Sequence, residues 1–146
     1  MKVFNRRARR DYQLLEKVEA GISLLGPEVK SVGEGKISLN EAFVKIMGGE
    51  AYLFNAHIHP YRFADTSNLD PRRTRKLLLH RKEIQSLEQK MKQKNLTIVP
   101  VACYTKHRRV KLELALARSK KQFEKREAKR RKDIQREVER ELKEKN

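Results

Sequence analysis

The residues able to build a hydrophobic core stop at Ala117. Before it, short apolar runs alternate with Gly, Pro, Asn and Asp. After it, residues 118–146 offer Phe123, Ala128, Ile134, Val138 and Leu142 against 13 Lys and Arg and 7 Asp and Glu. So few apolar groups cannot offset the entropy of ordering a segment alone. The chain therefore reads as a body, residues 1–117, and a basic tail, residues 118–146, disordered when free and helical only on a partner. Glu127/Arg131, Glu139/Lys143 and Glu141/Lys145 have the i,i+4 spacing that supports such a helix. With 146 residues and 38% apolar content, the chain suffices for one modest core.

Within the body, Tyr12 to Leu25 reads as a long strand bent near Gly21, where a glycine permits a bulge. Gly26-Pro27 opens a short helix, with Val29 and Val32 facing inward and Gly33 and Gly35 ending it. Ile37 to Met47 and Glu50 to Ile58 alternate as a hairpin about Gly48-Gly49, with Ala51, Leu53, Asn55 and His57 on one face. His59 to Pro71 is a loop. Thr74 to Lys94 reads as a helix with Leu77, Leu78, Ile84, Leu87 and Met91 as its stripe, ended by Asn95. Leu96 to Tyr104 and Val110 to Ala117 read as strands joined by the basic turn Thr105–Arg109. The fold class is mainly β with helices. Five or six antiparallel strands and two or three helices suggest a small OB-like β-barrel with flanking helices. A ferredoxin-like sandwich would want a regular βαββαβ order, which is not seen.

The charge balance says what such a body meets. With 36 Lys and Arg against 19 Asp and Glu, the net charge is +17, which repels itself unless a polyanion neutralises it. Nucleic acid is the expected partner and an anionic membrane surface the second choice. No stretch approaches the roughly 18 apolar residues of a membrane span. The amino terminus has no apolar core behind its basic residues and does not read as a secretory signal. One cysteine, Cys103, excludes an internal disulfide and fits a reducing compartment, so the reading is cytoplasmic.

Four basic clusters stand out. Arg6, Arg7, Arg9 and Arg10 are flanked by Asn5 and Tyr12, pairing bidentate phosphate donors with an aromatic that can stack on a base. Arg72, Arg73, Arg75 and Lys76, followed by His80, Arg81 and Lys82, sit at the expected start of a helix, where backbone N–H groups also favour phosphate. Lys106, His107, Arg108, Arg109 and Lys111 occupy a hairpin tip, which suits either a groove or edge protection. The fourth cluster is the tail. RNA is favoured over DNA, because no helix-turn-helix, zinc finger or zipper occurs.

Enzyme constellations are weak. His57 and His59 could hold a metal with Cys103, but no CxxC, HExxH or carboxylate cluster accompanies them, so they read as ordinary sheet and loop histidines. Ser23, Ser31 and Ser38 lack an elbow motif, and there is no P-loop. Cys103 in an apolar strand reads as a small buried hydrophobe. No catalytic residue, metal or cofactor is expected.

Asn5-Arg6-Arg7-Ala8-Arg9 with Tyr12, Glu19-Ala20-Gly21-Ile22, and Gly26-Pro27-Glu28-Val29-Lys30-Ser31 resemble the opening of the SmpB family, the SsrA-binding proteins. Gly49-Glu50-Ala51-Tyr52-Leu53 with Asn55, and Asp70-Pro71 with Arg73, Arg75, Lys76, Leu77, Leu78, Leu79 and His80, continue the resemblance. Ala117-Arg118-Ser119-Lys120-Lys121 with Lys125 and Arg126 is similar to the family's tail junction. The similarity runs in order from about residue 5 to the end. Ser119 and Phe123 depart from the usual glycine and the usual histidine or tyrosine.

The resemblance implies an OB-like barrel that binds the tRNA-like domain of transfer-messenger RNA and acts in ribosome rescue by trans-translation. The protein would stand in for an anticodon arm, on a ribosome stalled without a codon in its A site. Its tail would lie as a helix in the vacant mRNA channel, beside small-subunit rRNA and the decoding centre. Elongation factor Tu and alanyl-tRNA synthetase would be partners only through the RNA. Carried over by motif, Asn5, Glu19, Leu78 and His80 fall at positions tied to that RNA. Arg6, Arg7, Arg9, Tyr12, Arg73, Arg75, Lys76 and Arg81 complete the expected RNA-contacting set. Arg118, Ser119, Lys120, Lys121, Phe123, Lys125 and Arg126 form the expected ribosome-binding set. Glu19 is the odd member: a carboxylate accepts from a base amino group or a 2′-OH, which no phosphate contact imitates. Partnership with a neighbouring arginine is its plain alternative, as a core position is for Leu78. Two other classes remain: a ribosomal or ribosome-assembly protein that binds rRNA, and an RNA-modifying or hydrolytic enzyme, for which no catalytic set is visible.

Overall fold

In the computed structural model the described residues are 1–120 and 122–144; for 122–129, 143 and 144 the description is of backbone alone. The described chain is mainly β, with nine strands and four helices. In order these are β1 (Lys2–Phe4), α1 (Arg6–Asp11), β2 (Tyr12–Ile22), α2 (Gly26–Gly33), β3 (Ile37–Ser38), β4 (Phe43–Met47), β5 (Glu50–Phe54), β6 (His57–Ile58), β7 (Arg75–Leu78), α3 (Arg81–Lys94), β8 (Thr97–Lys106), β9 (Arg109–Ser119) and α4 (Gln122–Glu144). The large sheet runs β1-β8-β4-β5-β7-β2-β9, and its strand pairs are antiparallel. β9 also pairs with β8, so the ladder returns to a strand it has already used. One edge of β8 is shared, β4 meeting it at Ile98 and β1 at Ala102 to Tyr104.

Two one-residue bulges decide which side chains enter the core. Against β9, the register of β2 shifts between Leu14 and Glu16. Tyr12 and Leu14 consequently pack with Ala8, Val99 and Ala117 under α1, while Val18, Ala20 and Ile22 face the main core. The break in β2 is therefore at Leu15, not at Gly21 as the glycine suggests. Gly21 serves a different need: a Cβ there would lie 3.2 Å from the Leu78 Cβ across the β2–β7 pair. The second bulge lies between Pro100 and Ala102. It receives Asn5, whose backbone N–H donates to the Val101 carbonyl at 2.8 Å and whose Nδ2 donates to Pro100 and Leu39 carbonyls. Asn5 Oδ1 accepts from Ala8 N and caps α1.

Other expectations change for local reasons. Glu50 to Ile58 is not one strand: Asn55 has φ 62°, which breaks the alternation and turns Ala56 and Ile58 inward in place of Asn55 and His57. Ile37 to Met47 likewise divides into β3 and β4. On α2, Val32 is buried but Val29 is exposed. The expected helix Thr74 to Lys94 is a strand, β7, followed by α3. Leu77 enters the core as alternate residues of a strand do, while Leu78 points out and is exposed. The Gly48-Gly49 hairpin, with φ 57° and 76°, and the left-handed Asn95 that ends α3 are as read.

The main core holds one ion pair. Glu28 of α2 and Arg75 of β7 are 2% and 1% exposed by side chain. Arg75 Nε donates to Glu28 Oε2 at 2.7 Å, Nη1 to the Ala56 carbonyl at 2.8 Å and Nη2 to the Pro71 carbonyl at 3.0 Å. Arg73 adds a second guanidinium, and the Leu25 N–H donates to Glu28 Oε1 at 2.9 Å. Burial alone would raise the Glu28 carboxyl, but donation from Arg73, Leu25 and Arg75 outweighs it and holds the pKa below the usual value. A carboxyl depressed in the folded state stabilises the fold above its unfolded pKa, and that contribution is lost as pH falls through the folded pKa. Glu28→Gln should cost about 3–5 kcal/mol at neutral pH, because it leaves Arg75 buried and uncompensated. Urea titration checks this. The gap between variant and wild type should narrow as pH drops below the ordinary carboxylate range.

Candidate nucleic-acid interface

Three segments far apart in sequence meet in one open groove. Glu19 and Gly21 of β2 line it with Leu24, and beside them, on the paired strand β7 and the start of α3, so do Lys76, Leu78, His80 and Glu83. Arg108, Arg109 and Lys111 of the β8–β9 hairpin close one end, and Val29 of α2 adds an apolar side chain. Apolar and charged side chains thus line the groove together. His80 caps α3, its N–H donating to Glu83 Oε1 at 3.1 Å.

The hairpin tip is built by a two-residue turn in which both residues are left-handed, His107 at φ 51° and Arg108 at φ 64°. Neither is the glycine or asparagine such turns favour, and each costs about 1–2 kcal/mol in this region. Long β8–β9 pairing on both sides holds the tip in place.

Glu19 is not the partner of an arginine. Its Oε2 accepts a short hydrogen bond from the Tyr104 hydroxyl, and Lys106 Nζ lies 3.6 Å away. The Tyr104 bond, the largest effect, opposes the burial that would raise the carboxyl, and with Lys106 and Lys111 it holds the pKa below its usual value. Burial and the Glu19 carboxylate push the Tyr104 phenol up to about 12, so it remains a donor at neutral pH. Glu19 is thereby an ionised acceptor of fixed orientation with part of its side chain open to solvent.

The expected RNA-contacting residues separate into three groups. Glu19, Lys76, Leu78 and His80 share the groove, with Arg81 exposed on the first turn of α3. Asn5, Arg7 and Tyr12 line a second hollow with Phe43, Ser119 and Lys120, which shares no lining residue with the groove. Arg6 and Arg9 are exposed on α1, with the Arg9 guanidinium 5.3 Å from the exposed Phe4 ring. The third group is interior. Arg75 is buried with its guanidinium engaged, Arg73 is largely covered and bound to Glu28, and the Asn5 amide is consumed in capping and bridging.

The second basic cluster is therefore not a phosphate platform at a helix start. That holds for its first half, which lies on a loop and a strand with carboxylates facing its cations: Arg72 meets Glu41 at 3.2 Å, Lys76 meets Glu50 at 3.5 Å, and Glu28 holds Arg73 and Arg75. His80, Arg81 and Lys82 do stand at the start of α3. Arg118 is exposed at the end of β9, and Lys120 N donates to the Asp11 carbonyl. Lys121 lies outside the described residues. Phe123, Lys125 and Arg126 lie on the α4 backbone, and their side chains are outside the description. Tyr104 belongs to the site without having been marked by any local pattern; only its register opposite Lys111, two residues from Glu113 and Glu19, brings it there.

The His57 and His59 rings meet edge to face at 4.7 Å, while Cys103 is buried in the main core, where desolvation pushes its thiol up to about 12. Among the described residues no three potential metal ligands cluster, and no helix is long and apolar enough to cross a membrane.

A family model described as SmpB protein matches residues 2–144. The SsrA-binding protein of Sulfurihydrogenibium sp. is 52% identical over 139 residues, spanning 95% of this chain and 91% of that protein. The SsrA-binding protein of Mycobacterium leprae is 51% identical over 138 residues, 94% of this chain and 86% of that one. That of Enterococcus faecalis is 46% identical over 139 residues, 95% of this chain and 90% of its own. A solved chain described as "tmRNA-SmpB: a journey to the center of the bacterial ribosome" superposes with a TM-score of 0.69 at 48% identity, covering 83% of this chain and 85% of that one.

Tyr104→Phe should move the Glu19 carboxyl pKa upward, towards the ordinary value, because the largest stabiliser of the ionised form is removed. Side-chain carboxyl NMR titration reads this directly. An unmoved Glu19 would contradict the assignment.

Proposed function

This chain belongs to the SmpB family, and from that premise we propose that it binds the tRNA-like domain of transfer-messenger RNA and delivers it to stalled ribosomes for trans-translation. The observation that carries this reading is the groove in which Glu19, Leu78 and His80, separated in sequence, stand beside a cationic hairpin. Phosphates along the RNA backbone meet Arg108, Arg109 and Lys111, which supplies affinity. The ionised Glu19 accepts from a base amino group or a ribose hydroxyl, which supplies selectivity. The exposed Leu78 offers an apolar contact to a base or sugar. The chemistry is binding, with no bond made or broken by the protein, in the cytoplasm. Elongation factor Tu and alanyl-tRNA synthetase meet it through the RNA. The return of the ladder from β9 to β8 supports the reading of the body as an OB-like barrel.

The body ends with the last strand, and the tail works on a second RNA. Every side chain from Arg130 to Leu142 is exposed, so the described body gives this part of α4 no cover. Ile134, Val138 and Leu142 fall on one stripe at i,i+4, with Arg130, Arg131 and Lys132 adjoining. The helix of 23 residues is roughly 35 Å long. Isolated helices of this kind are marginal in water. We propose that α4 melts in the free protein and forms fully in the vacant mRNA channel, where rRNA phosphates neutralise its charge. Phe123 stacks on a decoding-centre base, without the hydrogen bond that a histidine or tyrosine would supply.

Sequencing the RNA that co-purifies with the full chain tests the reading. One predominant transfer-messenger RNA is expected; stoichiometric ribosomal subunits alone would point to a resident rRNA-binding protein. Glu19→Ala should weaken binding to the tRNA-like RNA with little change in salt dependence, whereas Arg109→Ala should lower the slope of log K against log salt by up to about one. Equal slope changes would contradict the division of roles. Gln135→Pro should leave RNA binding near wild type and cripple peptide tagging in a reconstituted assay, because it breaks α4 by about 3 kcal/mol. Normal tagging would mean that charge matters there and helicity does not.

A further inference from the structure

Phe63 has the greatest exposure, 71%, among the large apolar side chains of the described residues. It does not sit in a slack loop. The segment that carries it, residues 59–71, is closed at its base by Ile58 N donating to the Pro71 carbonyl at 3.0 Å, and by Ser31 Oγ donating to the His59 carbonyl at 2.6 Å. Ala64 N donates to the Tyr61 carbonyl at 3.2 Å, and Asp65 accepts from Ser67, so the tip is itself a series of turns. On this frame the Tyr61 and Phe63 rings meet edge to face with centroids 5.5 Å apart. Each ring carries a cation: the Arg62 guanidinium lies 4.5 Å from the Phe63 centroid and Lys30 Nζ lies 5.5 Å from that of Tyr61.

We propose that Tyr61, Arg62 and Phe63, with Lys30 of α2, form a second RNA contact, a platform on which an unpaired base of the carried RNA stacks. The proposal rests on the RNA-carrier reading above and extends it to a new surface. An exposed aromatic face fits any base, and flanking cations fit the phosphates on either side of it. A second copy of this chain is a poor occupant, since it would bring two cationic patches together on molecules of net charge +17. The platform also adjoins the groove: Val29 lines the groove, and the next residue of α2, Lys30, stands over Tyr61. An RNA seated on Glu19 and Leu78 thus needs only to continue across α2 to reach Phe63.

The test uses the full chain and a transcript of the tRNA-like domain. Phe63→Ala should weaken binding roughly tenfold with an unchanged salt slope, because no phosphate contact is lost, while Phe63→Trp should bind at least as well as wild type. Chemical probing should expose one unpaired nucleotide in the Phe63→Ala complex while the protections given by the groove persist. The side chain is exposed, so circular dichroism should be unchanged. If wild type binds and Phe63→Ala binds equally well, the platform is wrong and the carrier reading stands. If wild type itself fails to bind the transcript, the carrier reading fails first. If Phe63→Ala binds normally but loses tagging, the platform serves something other than the carried RNA, and the proposal is overturned.

Discussion

The Glu28 carboxylate, taken out of water between Arg73 and Arg75, ties together segments that no hydrophobic contact would orient so closely. It fixes α2 to β7, and through the remaining Arg75 donors it fixes the Ala56 and Pro71 carbonyls at the two ends of the long loop. A buried pair of this kind adds little net stability over an apolar substitute; its effect is register. Once β7 is held, strand alternation sends Leu77 inward and Leu78 outward. Gly21 lets β2 approach Leu78 closely, and the groove follows. α2 is held by the same pair, which places Val29 on the groove.

Charge within the molecule then sorts the 36 cations into those already matched and those left to a partner. Arg72, Arg73, Arg75 and Lys76 each face a carboxylate; Arg73 and Arg75 are spent on the buried Glu28, while Arg72 and Lys76 meet exposed partners. Arg108 projects on the strained turn and Arg109 opens β9 beside it, so the hairpin tip offers the positive potential of the chain outward. A site that needs one ionised acceptor in such a field must protect it from its neighbours. The Tyr104 hydroxyl does this by holding Glu19 in a fixed orientation while Lys106 stays at 3.6 Å.

Alternation of apolar residues made the sheet legible, along with the Gly48-Gly49 hairpin, the α2 start at Gly26-Pro27 and the Asn95 stop. The division of Glu50–Ile58 was not legible, because the left-handed conformation of Asn55 leaves no mark that an ordinary strand asparagine lacks. The apolar run Leu77-Leu78-Leu79 fits a helix stripe and a strand equally well, and long-range pairing with β2 and β5 decided it. Arg75 reads as surface from its charge alone; only its meeting with Glu28, 47 residues earlier, makes it core. Glu19 and Leu78 enter the expected site by resemblance alone, His80 by resemblance and by its basic cluster, and Tyr104 is not among the expected site residues. A residue that acts by holding another across a ladder is invisible until the register is known.

The central claim is that the body and the tail grip different RNAs at the same time. Site-directed hydroxyl-radical probing on stalled ribosomes tests it directly, with the cleaving group attached to cysteines introduced as Leu78→Cys or Ile134→Cys. Cys103 does not compete, being buried with its thiol raised to about 12. The account expects cuts in the tRNA-like RNA from position 78 and in small-subunit rRNA from position 134. Cuts in the same RNA from both positions would contradict it.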